Sequence, residues 1–187
     1  MIKNLKMLAL GLLLSLPVLL PAQRLFTRNA NVAFDATSKS SPERVEAKTN
    51  TGTLVIDVPT GKVEAAVLMK SFQFEKALMQ EHFNENYVES SKFPKATFKG
   101  KIDDAAKVNF TKDGTYKVSL TGDLTMHGIT KPVKAPVTFT VKSGKVTGQT
   151  DFTVVLKDYG ISVPTVVSDK LASEAKVSFG GDLAAMK

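Results

Sequence analysis

Apolar residues fall on every second position through most of the chain, and the breaks between these runs are short. Tyr116, Val118, Leu120, Leu124 and Met126 share one face, while Lys117, Ser119, Thr121, Asp123 and Thr125 share the other. Val133, Ala135, Val137, Phe139 and Val141 repeat the pattern. A period of two places one side-chain set on a core and the other in water, which is the signature of a half-buried strand. Connections this short cannot carry parallel crossovers, so the sheet is antiparallel.

The same alternation recurs along the chain. Val32, Phe34 and Ala36 open it, and a loop-like Thr37–Glu43 follows. Leu54, Ile56 and Val58 run into Pro59-Thr60-Gly61, a turn signal, and Val63, Ala65, Val67 and Met69 continue beyond it, predicting a hairpin. Ala96, Phe98, Gly100 and Ile102 make another run; Val108 and Phe110 precede the Lys112-Asp113-Gly114 turn. After the turn Ser143-Gly144-Lys145 come Val146, Phe152, Val154 and Leu156. Ile161 with Val163, and Ala175 with Val177 and Phe179, complete eight to ten segments. A sandwich and a barrel both satisfy this pattern. Long strands with glycine at inward slots (Gly122, Gly148) favour a closed barrel, which leaves no unpaired edge. Inward alanines and glycines also predict some unfilled space inside it.

One stretch departs from the period of two. Phe74, Leu78, Met79 and Phe83 recur at helical spacing, predicting a short helix whose apolar face packs on the barrel and covers the outward-pointing Leu68. Asn84–Ser91 supplies polar turn and capping groups, and Phe93-Pro94 forbids helix before the chain re-enters the sheet.

Residues 1–22 read as an export signal. Lys3 and Lys6 precede the apolar run Met7–Leu20, and Leu20-Pro21-Ala22 offers a small-residue cleavage site. The apolar run is short for a membrane span. The expectation is a single domain over 23–187, placed in the periplasm or secreted. With no cysteine among 187 residues, a lipid-modified signal cysteine, disulfides and thiolate metal sites are excluded. Loss of Lys3 and Lys6 takes the formal charge from +7 to +5. The remaining lysines alternate with apolar residues, the pattern of a solvated sheet face rather than a clustered nucleic-acid footprint.

Catalytic groups are scarce. There is no G-x-S-x-G elbow, no HExxH pair and no phosphate-binding glycine loop, and Asp103-Asp104 sits between strands. His82 and His127 are the only histidines, and a two-histidine metal site needs the fold to join them; a structural role for each is the simpler reading. No cofactor and no enzyme activity is indicated. The inward faces carry the positive signal. Phe98, Phe110, Tyr116, Val118, Leu120, Leu124, Val137, Phe139, Phe152, Val154 and Phe179 are the candidate lining residues of the barrel interior. On residues alone, a packed core and a ligand-holding cavity stay open.

Three stretches resemble the YceI-like family: Ser71–Gly100, with LMQEHFNENY and FPKATFKG; Gly122–Val133, with GDLTMHGITKPV; and Asp158–Pro164, DYGISVP. The resemblance spans roughly Phe26 to Leu183. It implies an antiparallel eight-stranded, lipocalin-like β-barrel with one short α-helix packed beside it, and non-catalytic binding of an isoprenoid-type lipid, polyisoprenoid or quinone-like, inside. Many inward β-branched residues predict a smaller cavity than long-chain binders have. A homodimer is compatible with such a barrel. A structural or stress-related exported barrel with a packed interior is the competing reading.

Overall fold

The computed structural model describes residues 24–186. The expected export segment lies outside the described residues. Nine strands follow in chain order: β1 (Arg24–Thr37), β2 (Glu46–Asp57), β3 (Lys62–Leu68), β4 (Gln73–Phe74), β5 (Lys95–Ile102), β6 (Gly114–Met126), β7 (Ile129–Lys142), β8 (Lys145–Val155) and β9 (Leu171–Ala185). The single α-helix among the described residues, α1 (Ala77–His82), lies between β4 and β5. Every long strand pairs antiparallel with its neighbour, and β1 pairs with both β2 and β9. The result is a closed eight-stranded barrel. β4 is a two-residue addition that pairs with Ala47 and Lys48 where β3 has ended.

Closure demands bending, and β1 supplies it. Its register against β2 shifts on either side of Ala30, and its register against β9 shifts between Phe26 and Asn31. Such bulges turn a strand without breaking its burial pattern. The predicted hairpin at Pro59-Thr60-Gly61 joins β2 to β3, with Gly61 at φ +67°.

The interior divides along the barrel axis. At the end carrying the β2–β3, β5–β6 and β7–β8 turns, Leu25, Ile102, Val108, Phe110, Val141, Val146 and Leu183 pack into a filled core. Phe110 sits edge-on to Phe139, with ring centroids 5.2 Å apart. Neither Val108 nor Phe110 is in a strand: the β5–β6 connection winds through a short 3-10 turn and folds both inward. Ile161 and Val163 likewise lie outside any strand, although Ile161 is buried. Apolar residues two apart in a loop that folds over a core mimic the strand signal.

The helix is as short as expected, six residues, but its packing departs from expectation. Phe74 belongs to β4, and Phe83 opens a π-type turn running to Tyr87. Leu78 is 62% exposed and Leu68 stays 47% exposed, so the helix neither packs by a Leu-Met face nor covers Leu68. Fewer than two turns cannot present a continuous apolar stripe. A cluster of four phenylalanines anchors the segment instead. Phe83 stacks on Phe34 of β1 at 5.3 Å, with Phe72 and Phe74 edge-on to Phe34 at 5.4 and 5.6 Å. The polar groups after it act as predicted: Asn84 Nδ2 donates to the Gln80 carbonyl at 2.8 Å, and Ser90 N–H donates to the Asn84 carbonyl at 2.8 Å.

Candidate ligand-binding cavity

Above the filled end the barrel holds a cavity of ≈ 590 Å³. Its wall is built from inward positions of all eight long strands, among them Val32, Ile56, Val63, Phe98, Leu124, Val137, Val154 and Val177. Of the residues expected to line the interior, Phe98, Leu120, Leu124, Val137, Phe139, Phe152, Val154 and Phe179 reach this cavity. Phe110, Tyr116 and Val118 do not. They face inward at the filled end, where Tyr116 and Val118 pack against the core that contains Phe110. Phe34, which alternates with Val32 and Ala36 but was not among the expected lining residues, also lines the cavity from β1, as do Phe72 and Phe83 from the segment before and after α1. The signal for Phe72 and Phe83 was aromatic crowding in one short stretch.

The glycine slots proved not to be empty. A side chain at Gly122 would have its Cβ 2.4 Å from the Gly100 Cα and 2.8 Å from the Phe98 ring. At Gly148 the nearest atom to such a Cβ is on the Phe139 ring, at 3.2 Å. These glycines let neighbouring strands approach and seat two rings. Space in the upper barrel comes from elsewhere, chiefly from Ala65, Ala96, Ala135 and Ala175 on its wall.

Polar groups gather at the mouth. Glu43, Lys76, His82 and Lys170 line it beside Leu78 and Val167. Lys76 at the foot of α1 pairs with Glu43 of the β1–β2 loop. The Lys76 hydrogen bond and charge hold the Glu43 carboxyl below its usual value, and Glu43 raises Lys76 in turn. The same loop is tied on its other side, where Ser38 N–H donates to the Lys170 carbonyl at 2.9 Å and the Ser40 hydroxyl to the Asp169 carbonyl at 3.1 Å. The β1–β2 loop is thus a strap across one side of the opening.

His127 performs a second tie. It sits at φ +51° in the β6–β7 turn, with Nδ1 2.9 Å from the Tyr159 carbonyl and Nε2 2.8 Å from Glu89 Oε2. The Phe93 ring stands edge-on to it at 4.7 Å. Both ring nitrogens are therefore engaged by protein partners, while His82 is exposed at the mouth. The fold gives the two histidines different partners, and no cluster of three metal-ligating side chains occurs among the described residues. Deep in the cavity, the inward Thr150 hydroxyl is satisfied by donating to the Pro136 carbonyl at 2.7 Å. The wall an entering chain meets is mostly apolar, which is the chemistry a hydrocarbon ligand requires.

The model of the YceI-like domain matches residues 24–180. The chain belongs to the YceI-like family. No curated protein matches the sequence. Among solved structures, the YceI-like barrel is similar to a polyisoprenoid binding domain from Saccharophagus degradans implicated in plant cell wall breakdown, at TM-score 0.73 and 15% identity, covering 88% of this chain and 99% of that one. It also resembles BcnA of Burkholderia cenocepacia (TM-score 0.65, 18% identity, 83% and 96% covered) and the Campylobacter jejuni YCEI protein (0.54, 17%, 79% and 88%). The lipocalin-like barrel and its helix are common ground with these structures. The YceI-like signature stretches of this chain meet at the mouth end: Glu89 and Phe93 from one, His127 from another and Tyr159 from the third.

Proposed function

We propose that this YceI-like protein is a non-catalytic carrier or scavenger of an isoprenoid-type lipid, working in the periplasm after residues 1–22 are removed. The observation that carries the reading is the cavity: ≈ 590 Å³, apolar along its wall, filled at one end and ringed by charged groups only at the other. That layout suits a hydrocarbon tail held inside with its polar head at the opening. The polyisoprenoid binding of the Saccharophagus degradans domain supports the ligand class.

Native mass spectrometry of protein purified from its own host, followed by a titration of the delipidated protein with isoprenoid quinones, tests the reading. A co-purified isoprenoid and saturable uptake are expected. Protein that arrives empty and takes up nothing ends it. The rival, a structural barrel with a packed interior, separates on Ala135→Phe: a packed barrel loses about 1–3 kcal/mol from overpacking, whereas the cavity accepts the ring and loses ligand.

A further inference from the structure

The cavity stops half-way down the barrel, and what stops it is built. Phe98 and Phe139 line its lower limit and also pack on the filled core beneath. Each ring rests against glycine: Phe98 against Gly122 of the neighbouring β6 and Gly100 of its own strand, Phe139 against Gly148 of β8. Phe139 is 2% exposed and is met from below by Phe110. Any side chain at Gly122 would displace the Phe98 ring, since its Cβ would stand 2.8 Å from that ring. The floor is therefore built around two aromatic rings seated in matching gaps, with Ile56, Val63, Leu120 and Val137 of the same core beside them.

We propose that this floor makes the cavity a ruler for isoprenoid chain length, with an upper limit set by the space above the two rings. The inference rests on the carrier reading above. A longer chain cannot go deeper, because the space below the floor is occupied by Phe110, Val141, Val146 and Leu183. Its surplus carbons stay at the mouth, beside Glu43, Lys76, His82 and Lys170. In a bilayer every carbon of the chain is in an apolar medium. Transfer to the protein keeps the enclosed carbons apolar and leaves the remainder against water and charge. Shorter chains lose only the contacts that would have filled the cavity. Selection therefore has a sharp upper edge and a gradual lower one.

The test presents the delipidated protein with phosphatidylcholine vesicles carrying an equimolar pool of all-trans prenols of ten to forty-five carbons, and reads the bound species by native mass spectrometry. Occupancy should peak within that range and, beyond the peak, fall at least about tenfold for each further isoprene unit. Ala135→Phe adds a ring to the wall nearer the mouth than Val137; it should lower total occupancy and move what remains to shorter chains. Phe139→Leu lowers the floor and should move the peak upward. Occupancy that keeps rising toward forty-five carbons overturns the ruler while leaving the carrier standing. Absence of every prenol from the spectrum overturns the carrier, and the ruler with it. Should Phe139→Leu fail to fold, Ala135→Phe still decides, since an unmoved peak removes the floor from its assigned place.

Discussion

Gly122 and His127 show how single residues set the limits of this barrel. Gly122 faces Gly100 across the β5–β6 pair, and no Cβ fits between them: the Lys99 carbonyl would be 2.4 Å away. Gly122→Ala must push two strands apart or dislodge Phe98, and should cost about 2–3 kcal/mol in chemical denaturation. Gly148→Ala, whose tightest contact is the edge of a ring at 3.2 Å, should cost distinctly less in the same assay. His127→Ala gives up contacts to Glu89 and the Tyr159 carbonyl together, for an expected loss of about 2 kcal/mol. Hydrogen exchange should then quicken in residues 84–93 and 156–161 and leave β7 and β8 protected, because the tie joins those two segments and not the barrel wall.

At the scale of elements, the strap formed by the β1–β2 loop controls the opening. It is held by Lys76 on one side and by the backbone of residues 169 and 170 on the other. Because the Glu43 carboxyl is held below its ordinary 4.5, the ion pair is intact above that value and is lost as pH falls through the lowered one. Lipid exchange with vesicles should accelerate severalfold in that acid range. Glu43→Gln should exchange rapidly at every pH and melt at the same temperature as the parent, since the pair is exposed. The long strands were legible from composition along the chain, because Val133 to Val141 need only their own alternation to declare a face. Depth along the barrel was not. Tyr116 and Val118 alternate as regularly as Leu120 and Leu124, yet the first two pack the filled end and the others reach the cavity. Alternation reports which side of a sheet a residue is on, and nothing in it records the distance to either rim. The helix was as short as expected, but its packing was misread for a related reason: spacing predicted a buried face for Leu78, which the structure leaves exposed.

For the molecule as a whole, two buried clusters hold the barrel, and the one towards the mouth surrounds the cavity. The filled end carries the Phe110–Phe139 contact, while the other end carries the four-phenylalanine cluster and loops pinned across the mouth. An occupant should therefore stabilise the fold by more than its binding to any one wall residue suggests. With geranylgeraniol at about 100 times its Kd, unfolding should cost about 2.7 kcal/mol more than for the delipidated protein, read as a shift in the denaturation midpoint. Residues 24 and 186 also meet at the filled end, where Met186 N–H donates to the Arg24 carbonyl at 2.7 Å. By the same token, a fluorescent partner or surface tether attached at either of these two positions points away from the mouth, so the vessel can be held by its base while it is filled and emptied.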